Sequence, residues 1–218
     1  MVPVLEQLGL AFVPGVLVQP REGYVADYLW ARFTPEGARL EPIFARMLEL
    51  DNVLTMPSAA AIRKIGDRGF EAIPVFTTET TGCWNELETK NFSLEEPRLN
   101  TALGEEEKAY VTGYALRRDV KGKEQRVFVL GDADCISNAE HNIKRKGIPA
   151  YNYAVITGSF CWLSDGVAPF DVRRPKAVDN KVSVTMEGMT VVKILFLWVF
   201  PFLLLGIGIF IWIRRKGR

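Results

Sequence analysis

The stretch near the C-terminus constrains this chain more than any other feature. Residues 194–213 read ILFLWVFPFLLLGIGIFIWI and contain no charged side chain. A helix rises about 1.5 Å per residue, so this stretch would be roughly 30 Å long, which matches the hydrocarbon core of a bilayer. We therefore predict a transmembrane helix here rather than the buried core helix of a water-soluble domain.

The residues around the stretch agree with a membrane anchor. Those that we assign to it are Ile194, Trp198, Pro201, Gly206, Trp212, Arg214 and Arg215. The two tryptophans lie towards its ends, where indole rings favour the headgroup level, and proline and glycine are tolerated within membrane helices. Because positively charged flanks stay in the cytoplasm, the basic tail predicts a cytoplasmic C-terminus and places the residues before Lys193 outside the cytoplasm.

The charge is unevenly distributed. Five of the 27 lysines and arginines lie at or beyond Lys193, so residues 1–192 carry 22 of them against 26 acidic residues, a net charge of −4. A nucleic-acid-binding domain would need a basic face. The composition therefore argues against a nucleic-acid partner.

The cysteines and the single histidine do not indicate a metal centre or a disulfide framework. Cys83, Cys135 and Cys161 are an odd number without CxxC spacing, and His141 is the only histidine. We interpret the three cysteines as small apolar side chains of the core. No cofactor is predicted.

The N-terminal residues do not resemble a signal peptide. The apolar run over 8–18 follows Glu6, lacks a preceding basic residue and is interrupted by Pro14 and Gly15. We therefore expect either the C-terminal portion of a longer membrane protein or a tail-anchored protein of the opposite orientation.

The remaining chain predicts alternating strands and helices. Strands are expected over 15–20, 52–57, 70–78, 108–117 and 125–131, helices over 42–50, 59–65 and 152–163, and short strands over 170–174 and 181–185. Such alternation indicates an α/β domain with a largely parallel sheet, in which the continuously apolar strand over 125–131 is central and the alternating strand over 108–117 is half-exposed. We assign residues 1–175 to this domain, 176–192 to a short β segment and linker, 193–213 to the membrane helix and 214–218 to the tail.

A polar segment after the strand over 125–131 is the first candidate site. It contains Asp132, Asp134, Ser137 and Asn138. Ligands bind at this end of the strands in open α/β sheets, and carboxylates suit Mg²⁺ or Ca²⁺. Two carboxylates are too few for a metal cage, however, and a serine or asparagine here also suits a helix cap. We expect capping rather than metal binding, and any ligand contact here remains a binding hypothesis.

Two further groups of residues could have either a functional or a purely structural role. Cys135 and His141 could form a nucleophilic pair, but no orienting acid or nucleophile elbow accompanies them, so we expect no catalysis. Trp84 lies in a polar surface loop over 79–107, a length that often indicates function. It either contacts a glycan or partner protein, or packs onto the sheet and fixes the loop, and the second interpretation is favoured.

Several of these segments together resemble a known family. Residues 125–138, the Cys161-Trp-Leu-Ser164 segment and a terminal membrane helix that ends in Arg214-Arg215 look like the C-terminal part of GldG-type proteins, the gliding-motility-associated auxiliary components of bacterial ABC transporters. The resemblance implies a flavodoxin-like or glutamine-amidotransferase-like fold and a location in the bacterial inner membrane. It also implies an ABC permease and, through it, an ATPase subunit as partners. The family usually has an aromatic residue where Cys135 stands.

The sequence therefore leads to one principal hypothesis of function and two alternatives. The principal one is a non-catalytic, membrane-anchored accessory component of an ABC-type export system that binds a partner or substrate outside the cytoplasm. On this hypothesis Gly206→Leu should weaken co-purification with a permease. The alternatives are a membrane-anchored hydrolase of envelope glycans or peptides and a tail-anchored cytoplasmic adaptor.

Overall fold

The computed structural model describes residues 2–142, 147–166 and 186–217. These residues belong to two compact units, Met1–Phe170 and Asp171–Arg218. The short strands expected over 170–174 and 181–185 lie outside the described residues. The assignment of 1–175 and 176–192 to a domain and a linker stays a prediction.

The first unit is mixed α/β. Its strands are β1 (Leu10–Phe12), β2 (Val16–Val18), β3 (Tyr28–Phe33), β4 (Val53–Pro57), β5 (Ile62–Lys64), β6 (Glu71–Thr77), β7 (Trp84–Glu86), β8 (Val111–Val120) and β9 (Lys123–Leu130). Its helices are α1 (Val2–Gln7), α2 (Pro35–Ala38), α3 (Pro42–Glu49), α4 (Asn138–Asn142) and α5 (Tyr153–Leu163), with 3₁₀ turns at Thr101–Leu103 and Asp134–Ile136. The helices expected over 42–50 and 152–163 are thus confirmed.

The parallel sheet expected from the sequence is wrong. Five strands form a sheet in the order β4-β3-β6-β8-β9, and every pairing in it is antiparallel. Two further antiparallel pairs, β1 with β5 and β2 with β7, complete a curled half-barrel. This is not a flavodoxin-like or glutamine-amidotransferase-like arrangement.

The main reason for this error is the missed strand β3. Without β3, the helix over 42–50 connects two successive predicted strands, which is the pattern of a parallel sheet. In the structure, α2 and α3 connect the end of β3 to the start of β4, and these two points lie side by side. β4 therefore runs antiparallel to β3, with Arg32 opposite Val53. A parallel connection would instead have to carry the chain back along the whole strand.

The helix expected over 59–65 is also wrong, since this segment is extended and contains β5. Its small residues allow its backbone to lie close to the backbones of neighbouring segments, and they do not form a helix. The carbonyl of Ala59 accepts a hydrogen bond from Leu17 N at 3.0 Å, and Ala60 N donates to the carbonyl of Gly131 at 2.9 Å. A Cβ atom added at Gly131 would collide with the Ala60 carbonyl oxygen, so only glycine fits there.

The roles of the last two strands are the reverse of those expected. β8 lies between β6 and β9, whereas β9 forms the edge of the five-stranded sheet. The apolar run in β9 reflects packing and not a central position, because Phe128 lies against Phe76 and Trp162 with ring centroids 6.1 and 6.2 Å apart. The first residues of β9 are exposed.

The core is built around aromatic rings between the sheet and helices α3 and α5. Phe44 of α3 meets Phe33 and Phe76 of the sheet at centroid distances of 5.7 and 5.9 Å. Gly158 of α5 lies so close to the Phe44 ring that a Cβ atom would collide with it. The missing side chain of Gly158 therefore sets how closely α5 approaches α3.

The second unit contains one continuous helix, Gly188–Lys216, which is long and apolar enough to cross a membrane. It is the apolar part of a longer helical segment made of α6 (Met186–Ile194), a π-helical turn (Leu195–Val199) and α7 (Phe200–Lys216). The π turn ends two residues before Pro201, whose ring would clash with the carbonyl of Leu197 in a regular helix, so the wider turn relieves that clash. The helix includes the whole stretch that we predicted as the anchor.

Candidate functional site

The predicted site after β9 is a tightly hydrogen-bonded turn. Asp132 accepts hydrogen bonds from the backbone N–H groups of Asp134 and Cys135, at 2.7 Å to Oδ1 and 3.0 Å to Oδ2. Ser137 Oγ accepts from Glu140 N at 3.4 Å at the start of α4, and Asn138 is exposed. Asp132 and Ser137 therefore act as caps of the turn and of the short helix.

Burial raises the pKa of two side chains in this turn, Asp132 and Cys135. Desolvation of the Asp132 carboxyl raises its pKa to about 6, against the lowering effect of the two backbone donors. Desolvation is the main reason why the pKa of the Cys135 thiol is raised to about 12, and the negative charges of the nearby Asp132 and Asp134 carboxylates add to this effect. Cys135 is therefore a neutral thiol at physiological pH, which is the opposite of what a nucleophilic cysteine requires.

The structure does not pair Cys135 with His141. Cys135 Sγ lies 3.2 Å from the carbonyl oxygen of Asp132, whereas the His141 ring lies against Tyr153 with centroids 5.1 Å apart. Among the described residues, no group of three or more histidine, cysteine, aspartate or glutamate side chains is arranged to hold a metal ion.

A buried amide that the sequence reasoning missed ties this turn to the sheet. Asn152 Oδ1 accepts from Thr55 N at 3.1 Å, and its Nδ2 donates to the carbonyls of Thr55 and Cys135 at 2.9 and 2.8 Å. Glu140 adds a second tie, because its Oε2 accepts from Tyr28 Oη at 2.8 Å. An asparagine just before an apolar helix is common, and nothing in the neighbouring sequence indicates that its side chain binds a distant strand.

Trp84 fixes the long loop from within. It lies in β7, is only 9% exposed, and packs with Val18, Ala26 and Phe92. Its Nε1 donates to Glu86 Oε2 at 3.0 Å. The contacts agree with the interpretation that Trp84 packs onto a sheet, here the two-stranded sheet of β2 and β7.

Two buried carboxylates organise the rest of this loop. Burial tends to raise the pKa of Glu86, but hydrogen bonds from the backbone of Thr89, the Trp84 indole and the backbone of Glu88 outweigh it and lower the pKa. Glu105, only 1% exposed, accepts from Leu87 N at 2.8 Å and from Asn100 N at 2.6 Å. The loop expected to be a polar surface loop is thus internally ordered.

The ordered loop forms one wall of a groove of about 570 Å³, which we name the loop groove. The other wall is the connection between β2 and β3. The lining residues are Pro20, Arg21, Glu22, Tyr24, Ala26, Phe92, Ser93, Leu94, Glu95, Glu96 and Pro97. Its volume lies within the range of ligand-binding clefts.

The wall between β2 and β3 is held rigidly. The Arg21 guanidinium lies 4.2 Å from the centroid of the Trp30 ring and forms an ion pair with Glu79 at 3.1 Å. The Tyr24 ring stacks on Tyr28 at 5.7 Å and meets the edge of Trp30 at 5.9 Å. Aromatic and cation–π contacts thus fix both side chains before any ligand binds.

The loop groove is acidic. Glu79 and Asp51 form ion pairs with Arg21 and Arg32, so these four charges cancel. In the part of the chain that the structure describes, no ion pair uses the three glutamates of the groove, which are Glu22, Glu95 and Glu96. Together with Tyr24 and Phe92 they suit a ligand that carries positive charges on an apolar stem.

The sequence contains only an indirect sign of this groove, which is the length of the loop over 79–107. The wall of the groove opposite this loop is the connection between β2 and β3, and it could not be predicted because β3 was missed. No family model, curated protein or solved structure matches the chain. The resemblance to GldG-type proteins therefore stays an expectation from short sequence motifs, and the antiparallel sheet contradicts the fold that it implied.

Proposed function

We propose that the chain is a single-pass membrane protein whose first unit is a non-catalytic binding module. On this proposal the loop groove binds a basic, extended segment of a partner protein, with the module outside the cytoplasm and the C-terminal tail inside. The observation that carries the proposal is the groove itself, which combines a suitable volume, a preformed aromatic wall and three carboxylates that form no ion pair with any residue the structure describes.

Charge and shape favour a basic peptide over a neutral ligand. A lysine or arginine side chain could place its aliphatic stem against Phe92 or Tyr24 while its charged end meets Glu22 or Glu95. Exposed ion pairs contribute little individually, so several contacts along an extended segment are needed for useful affinity. A groove between two loops offers such a series of contacts.

An accessory role in an ABC-type export system is a narrower form of the same proposal. It would give the module a permease as its partner and an ATPase subunit beyond it, in the inner membrane of a bacterium. Its support is the sequence resemblance, together with an apolar helix at the C-terminus. The competing envelope hydrolase would use Asp132 as its acid, but both carboxylate oxygens of Asp132 already accept hydrogen bonds from its own turn.

The test uses the full chain in lipid nanodiscs and a fluorescent peptide of alternating lysine and alanine. A triple variant, Glu22→Gln with Glu95→Gln and Glu96→Gln, removes the charges of the groove. A matched triple variant, Glu6→Gln with Glu36→Gln and Glu49→Gln, makes the same charge change at residues that do not line it.

We expect the groove variant to bind the peptide about tenfold more weakly than the wild type, a loss of roughly 1.4 kcal/mol, and the matched variant to bind within about twofold of it. Affinity for the wild type should fall as salt rises. Equal losses in the two variants would show that net charge and not the groove attracts the peptide, and no binding at low salt would contradict the proposed ligand.

A further inference from the structure

Helix α5 has an apolar face that is exposed among the described residues of the first unit. Its eleven residues, YAVITGSFCWL, contain no charge. Ala154, Val155, Gly158 and Trp162 lie on the buried side of the helix. The opposite side presents Tyr153, Thr157, Phe160 and Leu163, which we name the α5 face, and Phe160 is 67% exposed.

The polar groups of α5 do not make this face hydrophilic. Thr157 Oγ1 donates to the carbonyl of Tyr153 at 3.0 Å, and Ser159 Oγ donates to the carbonyl of Ile156 at 3.1 Å. Ser164, just beyond the helix, donates in the same way to Cys161 at 3.2 Å. Hydroxyl groups that bond back to the helix need no water, which is a common arrangement in a membrane setting.

We infer that the α5 face lies on the surface of the bilayer that holds the chain's own anchor, with Phe160 and Leu163 below the headgroups and the tyrosines among them. The inference rests on the membrane anchor of the proposed function. Tyrosine favours this depth because its ring is apolar and its hydroxyl is polar. Tyr151, two residues before the helix, and Ile136, in the 3₁₀ turn, are exposed as well.

Chain connectivity supports the bilayer as the occupant of this face. α5 is the last described element before the helical segment that holds the candidate membrane span, and that span begins at Gly188, 25 residues after Leu163. Even fully extended, that connection spans at most roughly 90 Å. A tether of this length keeps α5 at high effective concentration near the lipid, so a few buried apolar side chains suffice for binding.

The test is site-directed spin labelling of the full chain, one copy per nanodisc. Cys161→Ala removes the partly exposed cysteine, while Cys83 and Cys135 are fully buried. Single labels are placed at Phe160→Cys on the α5 face, at Val4→Cys as a control of similar exposure (59%) on α1, and at Leu204→Cys in the anchor. Each label is then exposed to oxygen, which enters lipid, and to a water-soluble nickel chelate.

We expect the labels at positions 160 and 204 to collide mainly with oxygen and the label at position 4 to collide mainly with the nickel chelate. If position 160 behaves like position 4 while position 204 reports lipid, the anchor stands and the inference about α5 is wrong. If position 204 also reports water, the anchor itself fails. Shielding of position 160 that needs two copies per disc would assign the face to a second chain and overturn the bilayer as its occupant.

Discussion

Asn152 is the residue on which the turn after β9 depends most. Its buried side chain joins β4 to the 3₁₀ turn through three hydrogen bonds to the backbones of Thr55 and Cys135. Asn138, which we predicted from the sequence as a candidate site residue, is exposed. The two asparagines are thus the same chemical group in opposite environments.

Replacing Asn152 with alanine should destabilise the first unit by about 2–4 kcal/mol, because buried backbone groups lose their partners. Asn138→Ala is the matched control, and its effect should stay within about 0.5 kcal/mol. The free energy of unfolding would be measured on the full chain in a mild detergent. Similar losses in both variants would show that the amide of Asn152 does not hold the turn to the sheet.

At this scale the sequence revealed local capping but not long-range contacts. Asp132 and Ser137 could be recognised as caps because their partners lie two or three residues away. The partner of Asn152 lies 97 residues away, and Arg21 meets Glu79 over a separation of 58 residues. No local pattern encodes such pairs, so the groove could not be assembled from the sequence.

At the scale of elements, the packing of α5 against α3 depends on Gly158. The sequence predicted both helices, since each carries a clear run of apolar residues, but it did not show which faces meet. The close approach explains a glycine in the middle of a helix, where it would otherwise be unfavourable. The missed strand β3 and the mistaken helix over 59–65 are errors of the same kind, because short segments take their structure from their neighbours.

Gly158→Ala should destabilise the first unit by about 1–2 kcal/mol, since the collision of the new methyl group with the Phe44 ring outweighs the better helix propensity of alanine. Gly66→Ala is the control, because no heavy atom lies within 4 Å of its added Cβ. Thermal unfolding of the two variants would measure the difference. A stabilised Gly158→Ala protein would contradict the close contact between α3 and α5.

At the scale of the whole molecule, the anchor was the part most readily predicted. A membrane helix is encoded in a continuous apolar run, and the helix Gly188–Lys216 contains that run. The sheet was predicted wrongly because antiparallel and parallel pairing differ only in how distant segments meet. The function that we propose combines the two parts, a groove that binds and a helix that holds it at the membrane.

The most direct test of this account is thiol labelling at two positions in intact cells. In the Cys161→Ala background, single cysteines at Leu94→Cys, which lines the groove and is 82% exposed, and at Gly217→Cys, after the helix, are treated with a membrane-impermeant maleimide before and after lysis. We predict that position 94 is labelled in intact cells and position 217 only after lysis. Identical behaviour of the two positions would contradict a membrane-spanning helix between them, and the reverse pattern would contradict a binding module outside the cytoplasm.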